Sequence, residues 1–286
     1  MTDAPRFGIM TAPQQVAYAD IQRVWREADA IPAIEHAWLF DHLLPIGGDP
    51  LGPIMEGWTL LSALAAQTSR LRLGVMVTSN RIRPPAVLAK IAATVDIVAD
   101  GRLDFGLGAG SRPSWPGASR EYDAHGLPFH DAKHAMGSLA EACTLIRRLW
   151  TEDEPFDFDG TFHQLTGAFC NPKPVQATPP LMLGGRSTAV LRIAAEHADL
   201  MNITGADLDD SIARSKVLDG LCERIGRDPS TLTRSIFLPA SYEQPETTRE
   251  AIAKMTGAGF THIVLGLPAP YPDGVAQWVA DELVRT

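Results

Sequence analysis

Short apolar runs and longer amphipathic stretches alternate along the whole chain. Residues 7–10 (Phe7-Gly8-Ile9-Met10) form an apolar run of strand length, and Val16, Ala19, Trp25 and Ala28 then mark a helical stretch over 16–30. The couplet recurs: strands at 37–40, 71–77, 102–110, 181–183, 199–203, 234–239 and 261–265, and helices at 58–68, 85–98, 131–150, 188–197, 207–225, 246–258 and 273–284. Pro84-Pro85 opens the third helix at the position where proline is favoured. Residues 156–163 read as a β-hairpin, with alternating aromatics flanking the Asp159-Gly160 turn.

Eight strands, each followed by a helix, imply a parallel sheet. At this length the expected fold is α/β, a closed (β/α)8 TIM barrel in a single domain over 1–286, with an irregular insertion at about 111–130 after strand four. The competitor is a doubly wound open sheet. That fold more often carries its glycine fingerprint at the first strand, whereas here the glycines follow strands four and five.

In a barrel the C-terminal strand ends share one mouth, where chemistry sits. Four of these ends are polar or glycine-rich: Asp41-His42, Thr78-Ser79-Asn80, Gly108-Ala109-Gly110-Ser111 and Gly184-Gly185-Arg186-Ser187. Taken alone, Asp41-His42 reads better as a turn cap beside a satisfied core histidine. Gly108-Ala109-Gly110 alone reads as a tight turn. The 184–187 segment carries more information, because glycines admit backbone amides to an anion, the following helix start adds its dipole, and Arg186 adds charge. A capping role for Ser187 is compatible with that reading.

Composition narrows the function classes. The chain has 286 residues, 45% hydrophobic and 21% charged, with net charge -9, which suits a globular protein and argues against nucleic acid or an anionic membrane as main partner. Cys143, Cys170 and Cys222 are far apart and lack metal spacing, as expected of buried thiols in a reducing compartment. No signal peptide or membrane-length apolar run stands out, so a cytoplasmic protein is expected. No zinc motif, nucleophile elbow or strand-end lysine is present, which leaves a bound organic cofactor as the carrier of reactivity.

The chain resembles the luciferase-like monooxygenase family of flavin- or deazaflavin-dependent barrels. The resemblance rests on Phe40-Asp41-His42, Glu56-Gly57-Trp58-Thr59-Leu60-Leu61, the run over 63–74, Pro85 to Lys90, Gly101-Arg102-Leu103 through Gly110, Asn171-Pro172-Lys173-Pro174-Val175-Gln176 and Leu183-Gly184-Gly185. It spans most of the chain and is weakest after about Gly226. Members using coenzyme F420 resemble it most, which implies an F420-dependent oxidoreductase moving a hydride to or from a small organic substrate. An FMN/FMNH2-dependent monooxygenase and a non-catalytic flavin-binding barrel are the alternatives.

The resemblance further implies His42 as proton-transfer group and Asp41 as a hydrogen-bond partner of the cofactor. It implies a non-proline cis peptide near Met76-Val77 behind the ring. Gly108 to Ser111 and Gly184 to Ser187 would then hold the cofactor tail. The aromatic or acidic residue that the resemblance implies after Gly-x-Gly is replaced by Ser111, so Glu56 is considered as a substitute acid, although a Glu at a helix start more often caps it. The loop at 46–53 and the insertion would shield the site. Trp38, Trp58, Trp115 and Phe129 are candidate pocket aromatics or core. A homodimer through the early helices is the expected assembly.

Overall fold

The structure, a computed structural model, describes residues 4–111, 114, 117–205 and 207–285. Among the described residues the strands are β1 (Arg6–Met10), β2 (His36–Leu39), β3 (Arg72–Val75), β4 (Thr78–Ser79), β5 (Leu103–Gly108), the hairpin β6 (Phe156–Asp159) and β7 (Gln164–Ala168), then β8 (Leu181–Gly185), β9 (Leu200–Ile203), β10 (Thr233–Pro239) and β11 (His262–Gly266). The helices are α1 (Tyr18–Asp29), α2 (Gly57–Ala65), α3 (Pro85–Val98), α4 (Arg120–Ala124), α5 (Ala132–Thr151), α6 (Thr188–His197), α7 (Leu208–Arg224), α8 (Pro245–Gly257) and α9 (Val275–Trp278), which continues as a π-helix over Val279–Val284; a short 3-10 turn covers Pro229–Thr231. No described helix is long and apolar enough to cross a membrane.

The main sheet runs β3-β2-β1-β11-β10-β9-β8-β5-β4, and a β3–β5 pairing closes it. Every ladder in it is parallel. Because β3 and β4 are one strand broken at Met76-Val77, whose peptide is cis, this is the expected eight-strand TIM barrel. Parallel strands covered on both faces read as continuous apolar runs rather than alternations. β2, β5 and β9 accordingly have every residue buried. The surrounding helices bury one stripe each: α1 turns Ile21, Val24, Trp25 and Ala28 inward at the spacing of a single helix face.

Strand and helix bounds agree with the sequence pattern to within a few residues, with two exceptions. The insertion is not wholly irregular, because α4 lies within it and buries Glu121 and Tyr122. The hairpin's second strand begins only at Gln164. The reason is Glu141 on α5, whose carboxylate accepts from the amides of Thr161, Phe162 and His163 at 2.7, 2.9 and 3.0 Å. Those amides are thereby satisfied outside the ladder.

The barrel's lower end holds an enclosed polar layer. The imidazoles of His36 and His262 stack with centroids 3.9 Å apart, and neither is more than 1% exposed. Trp38 Nε1 donates to His36 Nδ1 at 2.8 Å, while Ser235 Oγ lies 2.9 Å from His262 Nδ1. Gly8 makes room for this layer, since a Cβ there would lie 1.8 Å from His36 Nδ1.

Candidate active site

His42 stands three residues beyond Leu39, the last residue of β2, on the C-terminal rim of that strand. Its Nδ1 lies 3.2 and 3.1 Å from the two carboxylate oxygens of Glu121 on α4, and 31% of its side chain is exposed. Glu121 is 8% exposed, and it also accepts from the amide of Leu43. Burial alone would raise this carboxyl's pKa, but the hydrogen bond and charge of His42, with the Leu43 and Leu44 amides, bring it below the usual value. A carboxylate on Nδ1 fixes the ring's orientation and makes Nδ1 the protonated nitrogen of the neutral form. Nε2 is then left to give or take a proton.

Asp41 points the other way. Its side chain is fully enclosed, and Arg83 donates to it from Nη1 at 2.6 Å and Nη2 at 3.1 Å. The Thr78 hydroxyl donates to it as well. Asp41, expected as a hydrogen-bond partner of the cofactor, thus has both carboxylate oxygens engaged by side chains of the wall. Glu56 is likewise the cap of α2: it accepts from Trp58 N at 3.3 Å and from Thr59 N, and it pairs with Arg83. Trp58 completes the cluster by donating from Nε1 to Thr78 Oγ1 at 3.1 Å. Asp41, Glu56, Trp58, Thr78 and Arg83 thus form one polar knot behind the rim. It holds the backbone that carries His42.

The residues expected to line the mouth come together there. Parallel pairing puts Ser79 opposite Gly108 and Leu183 opposite Leu107, so the 78–80, 108–111 and 184–187 segments share the end of the barrel that carries His42. Met76 and Val77 are half-buried at the break in the strand. The glycines beside them serve close approach. A Cβ on Gly108 would lie 2.6 Å from Val77 Cγ2, and one on Gly184 would lie 2.8 Å from Val77 Cγ1. Gly110 has φ +82, and a Cβ there would meet Ser79 Oγ at 2.5 Å and Tyr122 Oη at 2.7 Å. Ser79 Oγ lies 3.1 Å from Tyr122 Oη, Ser111 N donates to that hydroxyl at 3.2 Å, and Asn80 Nδ2 donates to Ser138 at 2.9 Å. Ala109 accepts from Arg81 Nε at 3.0 Å.

Beyond the end of β8, at the same mouth, Ser187 caps α6, accepting from Val190 N at 3.3 Å. Gly185 has φ +149, a conformation that favours glycine. Arg186 is paired with Asp210, which Arg214 also approaches at 3.4 Å. Its charge is thus shared with a carboxylate rather than directed only at the mouth.

The two expected shields touch. Arg120 on α4 donates to the Pro50 carbonyl at 2.5 Å, and Gln15 ties the same loop through Gly47 and Asp49 carbonyls at 2.7 and 3.0 Å. Of the candidate aromatics, Trp38 is core, Trp58 belongs to the polar knot, and Phe129 stacks on Tyr122 at 4.9 Å. Trp115 lies outside the described residues. The described residues contain no cluster of His, Cys, Asp or Glu able to hold a metal.

Glu121 is not among the residues expected from the sequence, because the family pattern places an acid directly after Gly-x-Gly, where this chain has Ser111. The usable signal was Glu121-Tyr122 followed by Gly126, a helical turn inside the glycine- and proline-rich insertion.

A family model for luciferase-like monooxygenases matches residues 2–283. The chain belongs to the luciferase-like monooxygenase family. An uncharacterized protein of Mycobacterium tuberculosis is 33% identical over 224 residues, covering 78% of this chain and 71% of that protein. The pyrimidine monooxygenase RutA of Methylobacterium radiotolerans is 34% identical over 181 residues, covering 63% of this chain and 45% of RutA. Among solved structures, an F420-dependent secondary alcohol dehydrogenase in complex with an F420-acetone adduct superposes with TM-score 0.85 at 19% identity, over 99% of this chain and all of that one (100%). This last likeness establishes the barrel as the luciferase-like form of the fold. The family is one of oxidoreductases and monooxygenases acting on small molecules.

Proposed function

We propose that this protein is an F420-dependent oxidoreductase that moves a hydride between the deazaflavin and a small organic substrate bearing an alcohol or carbonyl. The observation that carries this reading is the His42–Glu121 pair: an imidazole on the barrel rim, oriented by a buried carboxylate, with Nε2 hydrogen-bonded to none of the described residues. Hydride transfer to or from an alcohol carbon must be matched by a proton leaving or reaching its oxygen. His42 Nε2 suits that task, because Glu121 holds the other ring nitrogen and an imidazole can both give and take a proton.

The residues present fit such a cofactor. The Met76-Val77 bulge, flanked by glycines whose Cβ space Val77 occupies, offers a backbone surface to a flat ring. Residues 108–111 would hold the tail. Gly184-Gly185-Arg186-Ser187 would hold its phosphate with backbone amides at the start of α6. When bound, the deazaflavin supplies the carbon that accepts or gives the hydride. His42 holds or moves the substrate proton, and Glu121 stabilises the imidazolium. The Asp41–Arg83 knot positions the rim, and the 46–53 loop with α4 excludes water.

RutA supports a second reading, an FMN-dependent monooxygenase on the same barrel. Titration of the purified protein with F420 and with FMN separates them. Binding of F420, with turnover that falls by roughly 10²–10⁴-fold in His42→Ala at little change in cofactor affinity, is the expected result. Tight FMN binding without F420 binding would transfer the assignment to the monooxygenase. Binding of either without turnover would favour a non-catalytic barrel.

A further inference from the structure

The end of the barrel away from the mouth keeps two buried donors that the proposed chemistry does not use. His36 and His262 are 1% and 0% exposed, and the Nε2 atom of each has no hydrogen-bond partner among the described residues. The proton positions follow from what holds the other ring nitrogen. An indole N–H can only donate, so His36 Nδ1 accepts from Trp38 and the neutral ring carries its proton on Nε2. Asn202 Nδ2 donates to Ser235 Oγ at 3.0 Å, which turns the Ser235 hydroxyl proton toward His262 Nδ1. The proton of His262 is then on Nε2 as well.

Strand register brings these groups together. Gly8 on β1 is the partner of His36 on β2, and Arg6, two residues earlier on the same face of β1, is the partner of His262 on β11. With no Cβ at Gly8 in its way, His36 leans across β1 onto His262, and the rings lie within 8° of parallel. Stacked rings cannot hydrogen-bond one another, so both N–H groups call for an outside acceptor, and the stacking brings one small acceptor within reach of both. Met10, Trp38 and Val264, each two residues further along its strand, close the barrel above the pair as part of a buried apolar cluster.

Charge favours an anion as that acceptor. The layer's carboxylate, Asp104, is spent on Arg72 at 2.5 Å, whereas half-buried Arg6 has no ion pair among the described residues. The charges that act on the two rings are those of Arg6 and Arg72. A water accepting both protons would bring two hydrogens of its own into an apolar, cationic surrounding. A halide brings none.

We infer that the lower end of the barrel binds one small monatomic anion of the chloride class, held by His36 Nε2, His262 Nε2 and the Arg6 guanidinium. It would tie β1, β2 and β11 together beneath the apolar cluster.

The test needs neither cofactor nor substrate. Thermal unfolding of the whole protein is followed as sodium chloride replaces sodium gluconate at constant ionic strength. A saturable rise in melting temperature is expected, roughly 2–4 °C at about ten times the dissociation constant, because an ion bound only by the native state stabilises it by mass action. Arg6→Gln, a change at the half-buried lower opening, is expected to weaken the chloride effect several-fold. Crystals soaked in sodium bromide should show an anomalous peak within hydrogen-bond reach of both Nε2 atoms, a readout that stands even if the variant does not fold. Coincident unfolding in chloride and gluconate would overturn the proposal and leave a water as the acceptor. A chloride effect undiminished in a folded Arg6→Gln variant, or bromide peaks only elsewhere, would overturn it too.

Discussion

At the residue scale, the strongest assignment concerns a carboxylate that occurs eighty residues, in round terms, from its partner in sequence. His42 and Glu121 meet only because α4 folds over the β2 rim, which no local pattern encodes. Glu121→Gln keeps the shape but replaces an acceptor-only carboxylate with an amide. Turnover is expected to fall by a factor of ten or more while the melting temperature changes little, and the pH at which activity half-rises is expected to move down as the imidazolium loses its counter-charge. An unchanged pH profile would remove Glu121 from proton handling. Arg83 makes a different case. It is the partner of a fully enclosed Asp41, so Arg83→Met leaves a buried charge uncompensated and is expected to cost about 3–5 kcal/mol in denaturant unfolding. Asp41-His42 was visible in the sequence as polar residues on a buried strand's end. Which of the two faces the mouth was not visible, because that depends on where Arg83 and Thr78 arrive from distant elements.

At the element scale, the broken strand β3–β4 organises the mouth. Its bulge pushes Val77 between β5 and β8, and this explains two glycines that sequence reasoning had assigned to a cofactor tail. Gly108→Ala is expected to overpack Val77 and cost about 1–3 kcal/mol, with a matching loss of cofactor affinity if the bulge backs the ring. Ordinary stability together with unchanged affinity would show that Val77 can shift freely. The α6 start offers a second check. Asp210 on α7 holds Arg186, so Asp210→Asn is expected to free that guanidinium and tighten binding of an anionic cofactor several-fold, with steeper salt dependence. Arg186→Ala should do the reverse. Strands and helices were legible because period and length identify them, and the cap at Glu56 was legible because a Glu before an apolar run has one common use. Pairing partners such as Asp210 were not, since a surface acid on an amphipathic helix looks the same whether or not an arginine from another element reaches it.

At the scale of the whole molecule, the barrel separates its two ends by task. The His42–Glu121 pair and the glycine-lined openings occupy the C-terminal mouth, while the N-terminal end encloses the stacked His36 and His262. Burial, then the charges of Arg6 and Arg72, hold His36 down to about 3, and burial together with His36 holds His262 well below its ordinary value. Both imidazoles are neutral in the folded barrel and take up protons when the chain unfolds. The unfolded chain therefore binds more protons than the native one below the ordinary value of 6.5, and stability must fall as pH drops from there toward about 3. At pH 5 the loss for His36 alone is about 2 kcal/mol, since each unit below the ordinary value is worth about 1.4 kcal/mol. Glu121, whose folded pKa lies below 4.5, adds a loss of the same sign at lower pH. Chemical denaturation at several pH values between 8 and 4 tests this. Unfolding free energy should be nearly flat above about pH 7 and decline steeply below about pH 6, and His36→Phe should flatten that decline if the mutant folds. Because the pair sits at the far end of the barrel, acid loss of stability and acid loss of activity should have different midpoints. Coincident midpoints in the wild-type protein, both abolished by His36→Phe, would mean that the lower layer and not His42 sets the acid limit of the enzyme.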